Sequence, residues 1–299
     1  MTDRQETRGP RDTGQSPSVG PERGSRAARQ AAERRKAIRN SVVAIASSLT
    51  VFLALAYAIV NAPNWTAVEE RFFDIPRIVD SLSDLLEGFL TNVGLFIVAE
   101  LLVLVVALVV AVVRSVPGPA FLPFRVMATI YTDVFRAVPG VVWIFVLGFG
   151  IPGLRIPGVP REPLLWGLVA LVLIYSAYVS EVYRAGIESV HPSQDAAARS
   201  LGLSRVQSLR YVVLPQAVRR VIPPLLNDFI GLQKDTVLIS FIGVVEIFRT
   251  AQIKQSGNFN FSYYIGVMLV FIVITIPMTR LVDWLVAKER RARSAGGMA

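Results

Sequence analysis

Long apolar runs alternate with short polar connectors along the chain. Six runs approach or exceed the roughly 20 helical residues that cross a hydrocarbon core of about 30 Å. They cover about 41–60, 92–113, 124–151, 164–183, 221–245 and 263–286. The third contains Asp133, Arg136 and Pro139-Gly140, so it reads as a polar elbow or broken helix, embedded from about Val134. The expected fold class is all-α, a polytopic membrane helical bundle with about six transmembrane helices.

The connectors differ in character. Residues 1–40 are rich in Gly, Pro, Ser and Arg without apolar periodicity and are expected to form a disordered basic cytoplasmic tail. That tail is too long and too charged for the n-region of a cleaved signal, and 41–60 suits a retained transmembrane anchor. Residues 61–89 hold six acids against two arginines and are expected as an acidic extracytoplasmic loop. Residues 287–299 form a second basic tail.

One connector is unusual. Residues 193–215 read SQDAAARSLGLSRVQSLRYVVLP, polar and alanine-rich between two apolar runs. Ser193 is placed as an N-cap, with Asp195 in the first turn where it favours the positive end of the helix dipole. The predicted helix runs over about 194–201, and Gly202 suits the left-handed position that ends it. Ser204-Arg205-Val206-Gln207 then has the pattern of a capping box and opens a second helix, expected to end at Leu214-Pro215. A helix of about eight residues is marginal in water, so both need a surface to pack on. Ala196, Ala197 and Ala198 give the first a slim face that fits a groove on a partner. A re-entrant connector packed on its own bundle fits the spacing equally well.

Composition agrees with a membrane chain: 53% of residues are hydrophobic and the mean hydropathy is +0.51. With no cysteine, disulfides and thiolate chemistry are excluded. The single histidine, His191, has no His or Cys companion, which argues against zinc. The net charge of +9 does not indicate nucleic-acid binding, because ten of the 31 Lys and Arg precede Ser41. There they fix orientation and touch anionic lipid. With the N-terminus inside, 22 basic residues lie on the inner side and six in the opposite loops. The positive-inside rule places both termini and the 185–220 segment in the cytoplasm.

Charges inside spans are costly and mark candidate functional sites. Glu100 lies mid-span. Glu181 and Arg184 are spaced i, i+3 and can pair. In the fifth span Asn227, Gly231, Lys234 and Leu238 share a helical face, with Asp228, Leu232 and Asp235 on the adjacent stripe. An ammonium and carboxylates on neighbouring stripes match the two ends of a zwitterionic amino acid. Pairing across helices to hold the bundle or a dimer together is the competing reading. Lys234 is the first candidate pathway residue and Asp228 the second, with Asn227 and Glu100 beside them.

The stretch 177–246 resembles the permease subunit of bacterial ABC importers, in the polar amino acid branch. Its signature is the EAA loop, Glu-Ala-Ala, then a glycine, then Leu-Pro; here Ala197, Ala198, Gly202, Leu214 and Pro215 occupy those places, with Ala196 at the Glu position. Upstream, YTDVFRAVPG at 131–140 is similar to the branch's Tyr-x-Glu-x-Phe-Arg-Gly-x-Pro, with Asp133 for Glu and Ala137 for Gly. The likeness covers about 90–286. It implies a five-helix importer core of type I, with 41–60 as one extra N-terminal helix, in the inner membrane of a bacterium. It also implies that Ser193, Asp195, Ala196, Ala197, Ala198, Arg199, Gly202, Ser204, Leu214 and Pro215 couple the chain to an ABC ATPase dimer. The further partners implied are a second permease chain, identical or a paralogue, and an extracytoplasmic substrate-binding protein. The chain would bind no cofactor itself, with ATP and Mg on the partner ATPase.

The residues agree that ATP hydrolysis lies elsewhere: GLQKDT at 231–236 lacks the glycine that precedes lysine in a phosphate loop. No nucleophile–base set or metal-ligand spacing points to an enzyme. An ion- or proton-coupled secondary transporter is the alternative, but it wants an inverted repeat of discontinuous helices, and the two halves show none. A membrane anchor or receptor with a signalling loop leaves the intramembrane charges unexplained.

Overall fold

The computed structural model describes residues 22–116 and 118–296. They form helices and no strand: α1 (Glu22–Val60), α2 (Trp65–Phe72), α3 (Ile75–Ser115), α4 (Leu122–Ala137), α5 (Gly140–Phe145), α6 (Ile151–Gly153), α7 (Pro163–Glu188), α8 (Pro192–Ser200), α9 (Arg205–Ser208), α10 (Leu214–Asp235), α11 (Ile247–Asn258) and α12 (Ser262–Gly296). Four helical segments are long and apolar enough to cross a membrane, or six if each of two bent pairs counts as one span. The chain divides into two units, residues 1–65 and 66–299.

In the first unit α1 stands as one helix, and its Ala32–Val60 stretch contains a window apolar enough to cross a membrane. The tail expected over 1–40 is corrected from Glu22 onward, where the chain is already helical; alanines and arginines there are good helix formers. The rest of that expectation, 1–21, lies outside the described residues.

The stretch expected as a loop over 61–89 is helical from Trp65 onward, apart from a break at 73–74. The acids conceal a regular stripe: Ile78, Ser81, Leu85, Gly88 and Phe89 are buried on α3 while Asp80, Asp84 and Glu87 face outward. Asp74 caps the helix by accepting from the Arg77 backbone at 3.2 Å. The stripe continues through Asn92, Leu95, Ala99, Val103, Ala107 and Ala111. Alanine on this line lets α7 approach, as small residues do between membrane helices, and Ala170, Leu171 and Ile174 of α7 complete the larger core with Ile144, Leu232 and Ile239. A second core gathers Leu85, Phe89, Ile247, Ala251, Tyr263 and Val267.

Two spans are broken. Pro119–Ala137 and Gly140–Gly153 meet at 105°; Val138 is extended before Pro139, as the residue before a proline prefers. Arg205–Ile242 and Ile247–Asn258 meet at 46°, after a 3₁₀ turn (Thr236–Ile242) and Gly243 at φ +89°. Non-helical backbone at membrane depth must be satisfied by protein, and α3 satisfies it here. Glu246 caps α11 by accepting from the backbones of Phe248 (3.1 Å) and Arg249 (2.8 Å). Asn92 donates to Glu246 (3.0 Å) and Thr236 (3.1 Å) and accepts from the Ile247 backbone (3.2 Å). A side chain at Gly88 would lie 2.8 Å from that same Ile247 nitrogen, so glycine is what admits the break against α3.

Candidate functional site

The segment between α7 and α10 is a short helical hairpin. Its first helix, α8, starts one step earlier than expected. Pro192 takes the first helical position, where its missing N–H costs nothing, and His191 becomes the N-cap, its Nδ1 accepting from the Ser193 backbone at 3.2 Å. Ser193 therefore sits inside the helix with its hydroxyl 2.8 Å from the same ring nitrogen.

The turn closes as a Schellman motif. Leu203 N donates to Ala198 O (3.2 Å) and Gly202 N to Arg199 O (3.0 Å), with Gly202 at φ +88°; both bonds are those that end helices at a left-handed residue. Ser204 then makes a reciprocal capping box, its hydroxyl accepting from Gln207 N (3.3 Å) while Gln207 Oε1 accepts from Ser204 N (2.9 Å). Asp195 does more than meet the helix dipole. It accepts from the Ser208 hydroxyl at 2.5 Å, a strut from α8 to α9 whose serine is fully buried.

The second helix does not end at Leu214-Pro215. It passes through a π turn (Leu209–Val213) into α10. Proline has no N–H to bond the carbonyl four residues back, and the wider turn before it absorbs the missing bond, Leu214 N reaching Leu209 O. The hairpin is thus continuous with a membrane span. Among its exposed residues three are large and apolar: Leu201 at the tip is 85% exposed, Val206 72% and Tyr211 63%. Ala196, Ala197 and Arg199 are exposed as well, whereas Ala198 is buried. Leu214 and Pro215 are exposed where the hairpin joins the span.

At the adjoining ends of α3, α4 and α7, Glu181 gathers charges. It pairs with Arg114, with Arg184 (2.8 Å) and more loosely with Arg136 (3.8 Å), and Arg184 also reaches Glu188 at 2.5 Å. This network ties three helices together, with three arginines sharing two carboxylates.

The intramembrane candidates separate by position. Asn227 and Lys234 are exposed on α10, and Lys234 makes no ion pair among the described residues. Asp228 is half-buried with Oδ2 lacking a hydrogen bond there; Glu100, half-buried on α3, lies near enough to feel its charge. Asp235 accepts from the Tyr175 hydroxyl at 2.8 Å, and a side chain at Gly231 would come within 3.2 Å of that hydroxyl. Leu238 leaves the Lys234 face because α10 gives way to the 3₁₀ turn at Thr236. Tyr175, Ser208 and the Asn92–Glu246 pair escape sequence reasoning, since each is one polar residue whose partner is distant in the chain.

Comparison with known proteins agrees with this picture. Residues 122–291 match the family model described as binding-protein-dependent transport system inner membrane component. The chain is 34% identical over 215 residues to the probable glutamine ABC transporter permease protein GlnM of Bacillus subtilis, covering 71% of this chain and 96% of that one. It is 31% identical to the glutamate/aspartate import permease protein GltK of Escherichia coli O6:H1, with 74% and 99% coverage. A crystal structure of an amino acid ABC transporter with histidines superposes with a TM-score of 0.66 at 29% identity, over 72% of this chain and 98% of that one. The MetNI methionine ABC transporter in an inward-facing form shares the fold at TM-score 0.54 and 16% identity, over 69% and 95%. A bundle with two broken spans, a helix–glycine–helix connector running into one of them, and these matches together place the chain in the family of inner-membrane permease subunits of binding-protein-dependent ABC transporters, among its amino acid importers.

Proposed function

We propose that the chain carries a polar amino acid inward and that residues 192–215 transmit closure of a partner ATPase dimer to the membrane helices. The observation that supports this reading is the exposed apolar tip of the hairpin, Leu201, Val206 and Tyr211, on a frame closed by the Gly202 turn and the Asp195–Ser208 strut. An apolar surface of this kind on a short polar connector is suited to burial against a partner. Continuity of α9 with α10 makes the connector a lever on the span that bears Asp228 and Lys234.

In this reading ATP and Mg bind the partner, and the chain binds no cofactor itself. Its ATPase binding differs between two states and thereby drives alternating access. A second permease chain, an extracytoplasmic binding protein and cytoplasmic termini complete the arrangement. Ser193, Asp195, Ala196, Ala197, Ala198, Arg199, Gly202, Ser204, Leu214 and Pro215 form the coupling element. Lys234, Asp228, Asn227 and Glu100 line the substrate path, where the exposed ammonium meets the substrate carboxylate and the half-buried acids meet its ammonium.

The test is uptake of labelled amino acids by proteoliposomes holding the chain with its ATPase and binding protein, with the proton gradient clamped. Uptake that vanishes when internal ATP is withdrawn is the expected result. Uptake that persists without ATP and follows an ion gradient contradicts the proposal.

A further inference from the structure

α1 is longer than a membrane requires. Ala32–Val60 has 29 residues, about 43 Å of helix at 1.5 Å per residue, against a hydrocarbon core of about 30 Å. Tyr57 is 72% exposed near one end, and an exposed aromatic there suits a membrane–water interface. Counting about 20 residues back from Val60 puts the opposite edge of the core near Ser41. The turns that remain, 32–40, then lie in the headgroup layer.

Those turns bear Arg34, Arg35, Lys36 and Arg39, all exposed and without an ion pair among the described residues. At about 100° per residue their directions fan over about 200° of the helix, and Glu33, Ala37 and Asn40 take the remaining arc. An in-plane interfacial helix needs one apolar and one charged face; with Glu33 and Asn40 opposite the cations these turns have no apolar face, which suits a helix that crosses the headgroup layer upright. Measured from Ser41, the four cations stand between about 3 and 11 Å outside the core, within the layer of lipid phosphates.

We propose that this partial collar on α1 is a binding site for anionic phospholipid headgroups, with the arginines and the lysine holding lipid phosphates along their side of the helix. A cluster of cations directly beside a transmembrane segment attracts anionic lipid in this way. The site does not depend on which side of the membrane the terminus occupies.

The test uses the full chain reconstituted in phosphatidylcholine bilayers with a trace of spin-labelled phosphatidylglycerol or spin-labelled phosphatidylcholine. Electron paramagnetic resonance reads the fraction of each lipid held at the protein surface. The wild type is expected to prefer phosphatidylglycerol, and the preference to fall at least about tenfold at the α1 sites in Arg34→Gln/Arg35→Gln/Lys36→Gln/Arg39→Gln. Phosphatidylcholine association should not change. High salt should weaken the wild-type preference. An Arg34→Lys/Arg35→Lys/Arg39→Lys variant keeps the charge and should keep the preference, which separates lipid binding from a failure to insert. Equal preference in wild type and the glutamine variant overturns the proposal. So does a preference lost only when Lys288 and Arg291 are replaced, or nucleic acid that co-purifies through the collar while lipid preference is unaltered.

Discussion

Asp195 and Ser208 show how much one side-chain contact can decide. Within α8 alone Asp195 is an ordinary first-turn acid, yet its bond to buried Ser208 fixes the angle between the two arms of the hairpin. A hydrogen bond to a charged group is worth about 1.5–3 kcal/mol. Ser208→Ala should therefore loosen the hairpin without affecting the membrane helices, which are held by separate cores. Backbone amides of 192–208 should exchange with solvent at least about tenfold faster, with insertion unchanged and uptake reduced. Unchanged exchange would show that the strut is idle. Sequence reading reached Gly202 and the Ser204 box because turn chemistry is local and each residue type has one conformational reason to be there. It misplaced the first N-cap at Ser193, where Pro192 pulls the start back to His191. Asn92 and Glu246 were out of reach, since residues 154 apart leave no periodic trace of their pairing.

The helices themselves follow hydrophobic period more closely than charge count. Residues 61–89 look like a loop by their acids, but the apolar positions repeat at helical spacing and α3 runs unbroken for 41 residues, about 62 Å. The second connector helix was expected to stop at Leu214-Pro215; a π turn lets it continue instead. The elbow at Pro139 was legible because proline dictates both its own conformation and its predecessor's. Contacts between helices were not legible. Gly186 of α7 is an example: a β-carbon there would collide with Val221 of α10, which no spacing rule reveals. Gly186→Ala should destabilise the bundle by about 1–3 kcal/mol through overpacking. Adding Val221→Ala should recover part of that loss, measured as thermal unfolding in detergent. Additive effects of the two changes would contradict the close approach of α7 and α10.

Across the whole molecule, the structure joins the helix–glycine–helix connector to the span with the candidate pathway residues. The family membership sets the general task, an ATP-driven amino acid importer subunit in the inner membrane. More than a quarter of this chain lies outside its match to the glutamine permease relative, and α1 with its basic collar is a whole-molecule feature that the importer reading does not itself explain. The substrate within the amino acid class depends on side-chain placement along α3, α7 and α10. In the sequence Lys234 and Asp228 lie on adjacent stripes that match the two ends of a zwitterionic amino acid. In the fold Lys234 is exposed while Asp228 is half-buried and Asp235 accepts from Tyr175, because helix rotation is set by packing rather than by the residues' own charges.

The central claim is that the hairpin couples ATPase closure to the span, and Gly202→Val tests it most directly. Gly202 holds φ +88° with open space around it, so the substitution acts through backbone conformation, which costs a non-glycine residue about 1–2 kcal/mol or more. The measurement is ATP-driven uptake together with recovery of the ATPase on mild-detergent purification, for wild type and variant at equal membrane insertion. The account predicts that the wild type retains an ATPase and transports, and that Gly202→Val loses both while remaining in the membrane. Normal ATP-dependent uptake by Gly202→Val would contradict the coupling role assigned to residues 192–215.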